Sequence, residues 1–153
     1  MFDLDRHDRA LLRSLMRDGR ATLTALSEAV ALSPTQCARR MARLEESGLI
    51  DGYQAILNRR AAGFGVLALV NVSLERQGES LSQAFQQAVA ELPEVVECLL
   101  LTGDADYQLR VLERDLDSYA EFVTHRLMRL PGVAHIRSSI ALKEIKSECG
   151  LPL

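Results

Sequence analysis

The spacing of apolar residues changes once along this 153-residue chain, and the change calls for two units of different architecture. Over residues 5–47 the apolar positions recur at helical intervals: Leu11, Leu12, Leu15 and Met16, then Leu23, Leu26 and Val30, then Cys37, Met41 and Leu44. A stripe at i, i+3, i+4 and i+7 is one face of an amphipathic helix. Over residues 64–146 strand-like alternation and helical stripes take turns. The sequence therefore predicts an α+β chain with residues 1–49 as a helical domain, 50–63 as an extended linker and 64–153 as a mixed domain.

The starts and stops of the three helices are marked. Asp5 and Asp8 suit a helix N-terminus, and Asp18-Gly19 ends the first helix. Thr22 or Thr24 caps the second. Ala31-Leu32-Ser33 makes a tight turn, and the third helix follows with Ser33 as N-cap, Pro34 at the first helical position and Gln36 completing an S-x-x-Q capping box. At about 100° per residue, Thr35, Arg39, Ala42, Arg43 and Glu46 fall opposite its apolar stripe, with Gln36 and Arg40 at the flanks. Two helices joined by a short turn, the second with a polar outward face, form a helix-turn-helix pattern that fits a DNA major groove. A three-helix bundle with a solvated Arg face has the same spacing.

Charge is divided unevenly. Residues 1–60 hold ten Arg against eight Asp and Glu, whereas residues 61–153 hold eight Lys and Arg against thirteen acidic residues. The net charge of -3 thus hides a basic N-terminal part whose cations are all Arg, the side chain best suited to bidentate phosphate and guanine contacts. With no Trp and only 5% aromatics the chain lacks a stacking platform for single strands. Its longest apolar run, Val66 to Val70, is far short of the ~20 residues of a membrane helix. The N-terminus from Met1 to Asp8 has no apolar core of a signal peptide. Cys37, Cys98 and Cys149 are odd in number and far apart, which predicts neither a disulfide framework nor a metal site and points to a reducing cytoplasm.

The second region reads strand, helix, strand, strand, helix, strand. Phe64 to Glu75 alternates and is apolar on both faces in its first half. Leu81, Ala84, Phe85, Ala88, Val89 and Leu92 form a helical stripe closed by Pro93. Strands follow at Val95 to Thr102 and Tyr107 to Glu113, around a Gly103-Asp104-Ala105-Asp106 turn. A helix buries Tyr119, Phe122, Val123, Leu127 and Leu130, and the last strand spans Val133 to Lys146. This βαββαβ order is ferredoxin-like: four antiparallel strands with two helices on one face. The other face needs cover, which predicts a homodimer.

Both parts carry motifs in one order: Leu4-Asp5-Arg-His-Asp8, Gly19-Arg20, Leu32-Ser33-Pro34-Thr35-Gln36-Cys37, Arg43-Leu44-Glu45 and Gly48-Leu49-Ile50-Asp51-Gly52-Tyr53, then Thr102-Gly103-Asp104-Ala105-Asp106-Tyr107, Leu130-Pro131-Gly132-Val133 and Ser138-Ser139 with Lys143 and Lys146. Over residues 4–146 the chain resembles the Lrp/AsnC (feast/famine) transcriptional regulators. The resemblance implies a winged helix-turn-helix domain and a ferredoxin-like effector-binding and oligomerisation domain. It implies a sequence-specific regulator, not an enzyme, in the cytoplasm. Partners would be double-stranded DNA with a near-palindromic operator, and a small effector, an amino acid, with no other cofactor and no metal. Dimers would assemble to an octamer. DNA-binding positions would be Ser33, Thr35, Gln36, Arg39, Arg40 and Arg43. The effector site, between neighbouring dimers, would draw on Thr102, Gly103, Asp104 and Asp106 and on Ser139, Ile140 and Ala141. Ala31 departs from the family, which often has Gly there; a left-handed conformation would strain it by ~1–2 kcal/mol.

Other readings of single residues remain. Asp104-x-Asp106 has the makings of a cation or acid–base pair, or of plain turn chemistry. His7, His125 and His135 follow no zinc spacing. Cys37 lies on a buried stripe where a small apolar residue suffices. Gly63-Phe-Gly65 is a hinge, too short for a phosphate loop. The competing functional reading is a ferredoxin-like small-molecule-binding or catalytic domain with a helical dimerisation arm. Outward Thr35, Arg39 and Arg43 behind a capping box count against it.

Overall fold

The computed structural model describes residues 3–75, 79–146 and 150–153; Met1, Phe2 and Cys149, used above, lie outside the described residues. The chain forms two compact units. One runs to Ile56 and includes the described C-terminal residues; the other is Leu57–Lys146. The division falls inside the 50–63 segment. The C-terminal residues, placed by sequence with the sheet, pack with the helices: Arg13 Nε donates to the Leu153 carbonyl at 2.6 Å.

In the helical unit α1 is Arg6–Arg17, α2 Leu23–Val30 and α3 Pro34–Glu46. Asp5 caps α1 in a reciprocal box: its carboxylate accepts from the His7 and Asp8 amides, and Asp8 accepts from the Asp5 amide. Thr22, not Thr24, caps α2. Ala31 ends α2 at φ 53° and ψ 46°, the left-handed conformation that the missing glycine would favour, so the strain anticipated from sequence is present. Ser33 and Gln36 form the expected box at α3, with Pro34 in its first turn. Leu11, Leu15, Leu26, Val30 and Cys37 make the core, joined by half-buried Met41 and Ile50. Gly48, at φ 71°, turns the chain out of α3. The extended segment that follows is fixed to α3 by Tyr53, whose hydroxyl donates to Glu45 at 2.9 Å.

The second unit has β1 Val66–Leu74, α4 Glu79–Ala90, β2 Val95–Leu100, β3 Tyr107–Glu113, α5 Leu116–His125 and β4 Val133–Ile140. The strands lie antiparallel in the order β2-β3-β1-β4, as the ferredoxin-like reading requires. Val66, Ala68, Val70 and Val72 of β1 and Tyr107, Leu109 and Val111 of β3 share a core with Phe85, Val89, Tyr119, Phe122 and Leu127. The alternate residues of β1 point to the other face. Leu67 is buried there, but Leu69 remains 40% exposed and Leu99 of β2 44% exposed.

Several spans differ from the sequence expectation. Strand β1 begins at Val66 rather than Phe64. Residues 59–63 of the expected extended linker fold into a turn, with the Ala62 amide bonded to the Asn58 carbonyl and the Phe64 amide to the Arg59 carbonyl. Helix α5 ends at His125, and a single 3-10 turn, Leu127–Arg129, carries Leu127 into the core. Strand β2 stops at Leu100, short of Thr102. Strand β4 stops at Ile140, because its partner β1 begins at Val66; the Ala141 amide makes the last bond, to the Leu67 carbonyl. Residues 141–146 then bring Glu144 to Arg110 Nη2 at 2.6 Å.

Candidate functional site

Two groups of residues were singled out by sequence, and each lies within one unit. The first is the outward face of α3. Ser33, Thr35, Gln36 and Arg39 are exposed along its N-terminal half. The Ser33–Gln36 box occupies both side chains in capping: Gln36 Oε1 accepts from the Ser33 amide at 3.0 Å. Thr35 and Arg39 therefore form the accessible part of this face.

Arg40 and Arg43 are placed differently from a simple solvated face. Arg40 Nη1 donates to Asp5 Oδ2 and to Asp8 Oδ1, both at 2.7 Å, and Arg43 Nη2 donates to Asp8 Oδ2 at 2.5 Å. The Asp8 side chain is only 1% exposed, against 21% for Arg40 and 50% for Arg43. A carboxylate so deeply buried needs compensating cations. The two Arg side chains supply them and tie the start of α1 to the middle of α3. The Asp8 amide first, then the Arg40 guanidinium and the His7 amide, outweigh desolvation and hold the Asp5 carboxyl at about 2, below its ordinary 3.8. The same carboxylates, Asp8 first, raise Arg40 further above its already high value.

Sequence reasoning treated Asp8 only as a helix-start residue. Its position held a further signal: Asp8, Leu11, Leu12 and Leu15 follow i, i+3, i+4 and i+7, so Asp8 lies on the buried stripe. A charge on such a stripe demands a partner from a neighbouring helix.

The second group lies on the sheet unit. Thr102, Gly103 and Asp104 are exposed in the β2–β3 loop. Gly103 has φ 135°, and a Cβ there would meet no atom within 4 Å, so the backbone conformation rather than crowding requires glycine. Asp106 is tied into the sheet. Its amide donates to the Val72 carbonyl at 3.0 Å, and its carboxylate accepts from the Leu74 amide at 2.8 Å. Ser139 and Ile140 pair with Leu69 and Ala68, and Ala141 with Leu67. The loop therefore meets β1 at its C-terminal end and the 139–141 stretch meets it at its N-terminal end. From Ala68 to Val72 a strand advances roughly 13 Å. A single chain keeps the two halves of the candidate site apart.

Among the described residues no group of three His, Cys, Asp or Glu is arranged to hold a metal ion. Cys37 is fully buried among apolar side chains. Among the described residues no helix is long and apolar enough to cross a membrane.

The two units match two known domain families. Residues 4–51 fit the winged helix-turn-helix DNA-binding family, and residues 67–151 fit the Lrp/AsnC ligand binding domain. The chain belongs to the Lrp/AsnC family. Among its Lrp/AsnC relatives, the Bkd operon transcriptional regulator of Pseudomonas aeruginosa is 41% identical over the full length of both chains. The leucine-responsive regulatory protein of Escherichia coli is 40% identical over 94% of this chain and 88% of that protein. A Neisseria meningitidis transcriptional regulator solved as a complex with L-methionine superposes with a TM-score of 0.94 at 38% identity, covering 98% of this chain and 97% of that one. These relatives are regulators of transcription, and the paired DNA-binding and ligand-binding domains give this chain the same role. The reading as a free-standing small-molecule or catalytic domain with a helical arm falls with that match.

Proposed function

We propose that this regulator reads double-stranded DNA with α3 and that its assembly or DNA affinity responds to an amino acid. Thr35, Arg39 and Arg43 face the base edges, and Ser33, Gln36 and Arg40 lie toward the phosphates. Residues 1–49 form the DNA-binding domain, 50–63 the connector and 64–146 the effector-binding and oligomerisation domain, the described C-terminal residues going with the helical unit. The observation that carries the DNA reading is the capped start of α3, which leaves Thr35 and Arg39 exposed on a helix whose opposite stripe is buried.

The effector takes Thr102, Gly103, Asp104 and Asp106 from one chain and Ser139, Ile140 and Ala141 from another. Support comes from the separation of these two stretches along β1 and from the L-methionine complex of the Neisseria meningitidis relative. The Asp carboxylates suit an α-amino group through charge-assisted hydrogen bonds. Exposed Leu69 and Leu99 support a dimer through the open sheet face, with dimers building to an octamer. Two-fold pairing matches a near-palindromic operator. The protein works in the cytoplasm, where its DNA is.

The test combines sedimentation with DNA-binding titrations on the duplex upstream of the protein's own gene, with and without each amino acid. The reading requires at least a dimer and one amino acid that changes oligomer size or DNA affinity. A monomer at micromolar concentration, or no effect from any amino acid, defeats the corresponding part.

A further inference from the structure

Four charged groups meet where α1 starts beside α3. Asp5 and Asp8 face Arg40 and Arg43, and Asp8 uses both carboxylate oxygens on the two guanidiniums. Two negative and two positive groups cancel. Asp8 is sealed from water, so withdrawing both guanidiniums would strand a buried charge, an arrangement that proteins avoid. Asp5, at the rim, is half exposed and adds a second anchor for Arg40 alone.

This matters for a helix that meets DNA. Binding to any sequence comes mainly from cations that replace condensed counterions on phosphates. A guanidinium already paired with a carboxylate displaces few counterions. A phosphate seeking Arg40 or Arg43 must compete with Asp8, whose oxygens are already in place. Random DNA therefore gains little from these two cations, whereas the contacts of Thr35 and Arg39 to a matching sequence are unaffected, and half-exposed Arg43 reaches a base edge without leaving Asp8.

We infer that Asp8 and Asp5 are positioning residues for DNA selectivity: they hold and neutralise Arg40 and Arg43 and so suppress binding to non-cognate DNA. The inference rests on the reading above that α3 meets DNA. Asp8 and Asp5 act through the two arginines and do not themselves touch DNA.

The test uses the full chain with Asp8→Asn and Asp5→Asn. Asparagine retains an acceptor oxygen at both sites, and at position 5 it remains a good N-cap. Each variant is titrated against a duplex selected from a random library by the wild type, and against a scrambled duplex of equal length, over a salt series. Circular dichroism gives the folded fraction. Both variants are expected to bind the scrambled duplex several-fold more tightly at low salt. The salt slope should steepen by roughly one per released guanidinium in Asp8→Asn and by less in Asp5→Asn, which leaves Arg40 on Asp8, and the selected-to-scrambled ratio should fall. An unchanged slope and ratio in the folded variants overturns the inference, as does equal weakening on both duplexes with a lower melting temperature, the mark of a merely structural carboxylate. If Asp8→Asn does not fold, Asp5→Asn still decides: it leaves Arg40 on Asp8 alone, so a smaller rise in scrambled-duplex binding and in salt slope is expected, and no change at all overturns the inference. Arg39→Ala separates the two readings. If it weakens the selected duplex while the Asp variants behave as wild type, only the selectivity device fails; if it has no effect, α3 is not the reader and both fail.

Discussion

The Asp106 carboxylate accepts the Leu74 backbone N–H at 2.8 Å, where the β1–β4 register shifts between Ser73 and Leu74. The turn residue that sequence marks for effector contact is thus also a fastening of the sheet. Asp106→Ala leaves that amide without its acceptor and should destabilise the protein by about 1–3 kcal/mol. Asp106→Asn, which retains an oxygen, should lose less. Chemical denaturation of the two variants checks this; equal stability of Asp106→Ala and wild type would show that the bond contributes nothing.

Effector contacts are better probed where side chains are free of the ladder. Asp104 is exposed in the loop and Ser139 on β4, at opposite ends of β1. Asp104→Ala and Ser139→Val should each abolish the amino-acid response alone. Mixed and reassembled, they should recover part of it, because some sites then combine an intact loop with an intact strand. Absence of recovery in verified mixed oligomers would place the whole site within one chain.

Ala31 adopts φ 53°, the one positive-φ residue other than glycine among the described residues. Ala31→Gly removes a strain of ~1–2 kcal/mol, offset in part by the greater freedom of glycine in the unfolded chain. The expected outcome is a rise in denaturation midpoint. A fall would mean that the strain at Ala31 is smaller than the entropic cost of glycine.

The Asp5 carboxyl is lowered from 3.8 to about 2, chiefly by the Asp8 amide and then by Arg40 and His7. A depressed folded-state value means that Asp5 contributes stability above its unfolded value, and that the contribution is lost as pH falls through the folded one. The stability advantage of wild type over Asp5→Asn should therefore be constant near neutrality and shrink between about pH 4 and pH 2. Melting curves across that window check it; a constant gap would contradict the Asp5 linkage.

Much of the architecture was legible because it is written in local chemistry. The Ser33-Pro34-Thr35-Gln36 box fixes the start of α3, and the stripes at Phe85 and Val89 and at Tyr119 and Phe122 fix the sheet-facing sides of α4 and α5. What local chemistry does not encode is pairing at a distance. The end of β4 at Ile140 depends on where β1 begins, and the C-terminal residues pack on α1 through Arg13 and Leu153. The candidate DNA face was legible at Thr35 and Arg39. The commitment of Arg40 and Arg43 to Asp8 was not, because their partner is 32 and 35 residues away. Only the place of Asp8 on a buried stripe hinted at it.

The claim that α3 reads sequence is tested most directly at Arg39. Equilibrium titration of wild type and Arg39→Ala compares the duplex selected by the wild type with its scrambled counterpart. Loss of a bidentate base contact should cost about 1–3 kcal/mol on the selected duplex, with relaxed preference at one base position and little change on the scrambled one. Equal affinities of the two proteins for both duplexes, with preference retained at every position, would contradict it.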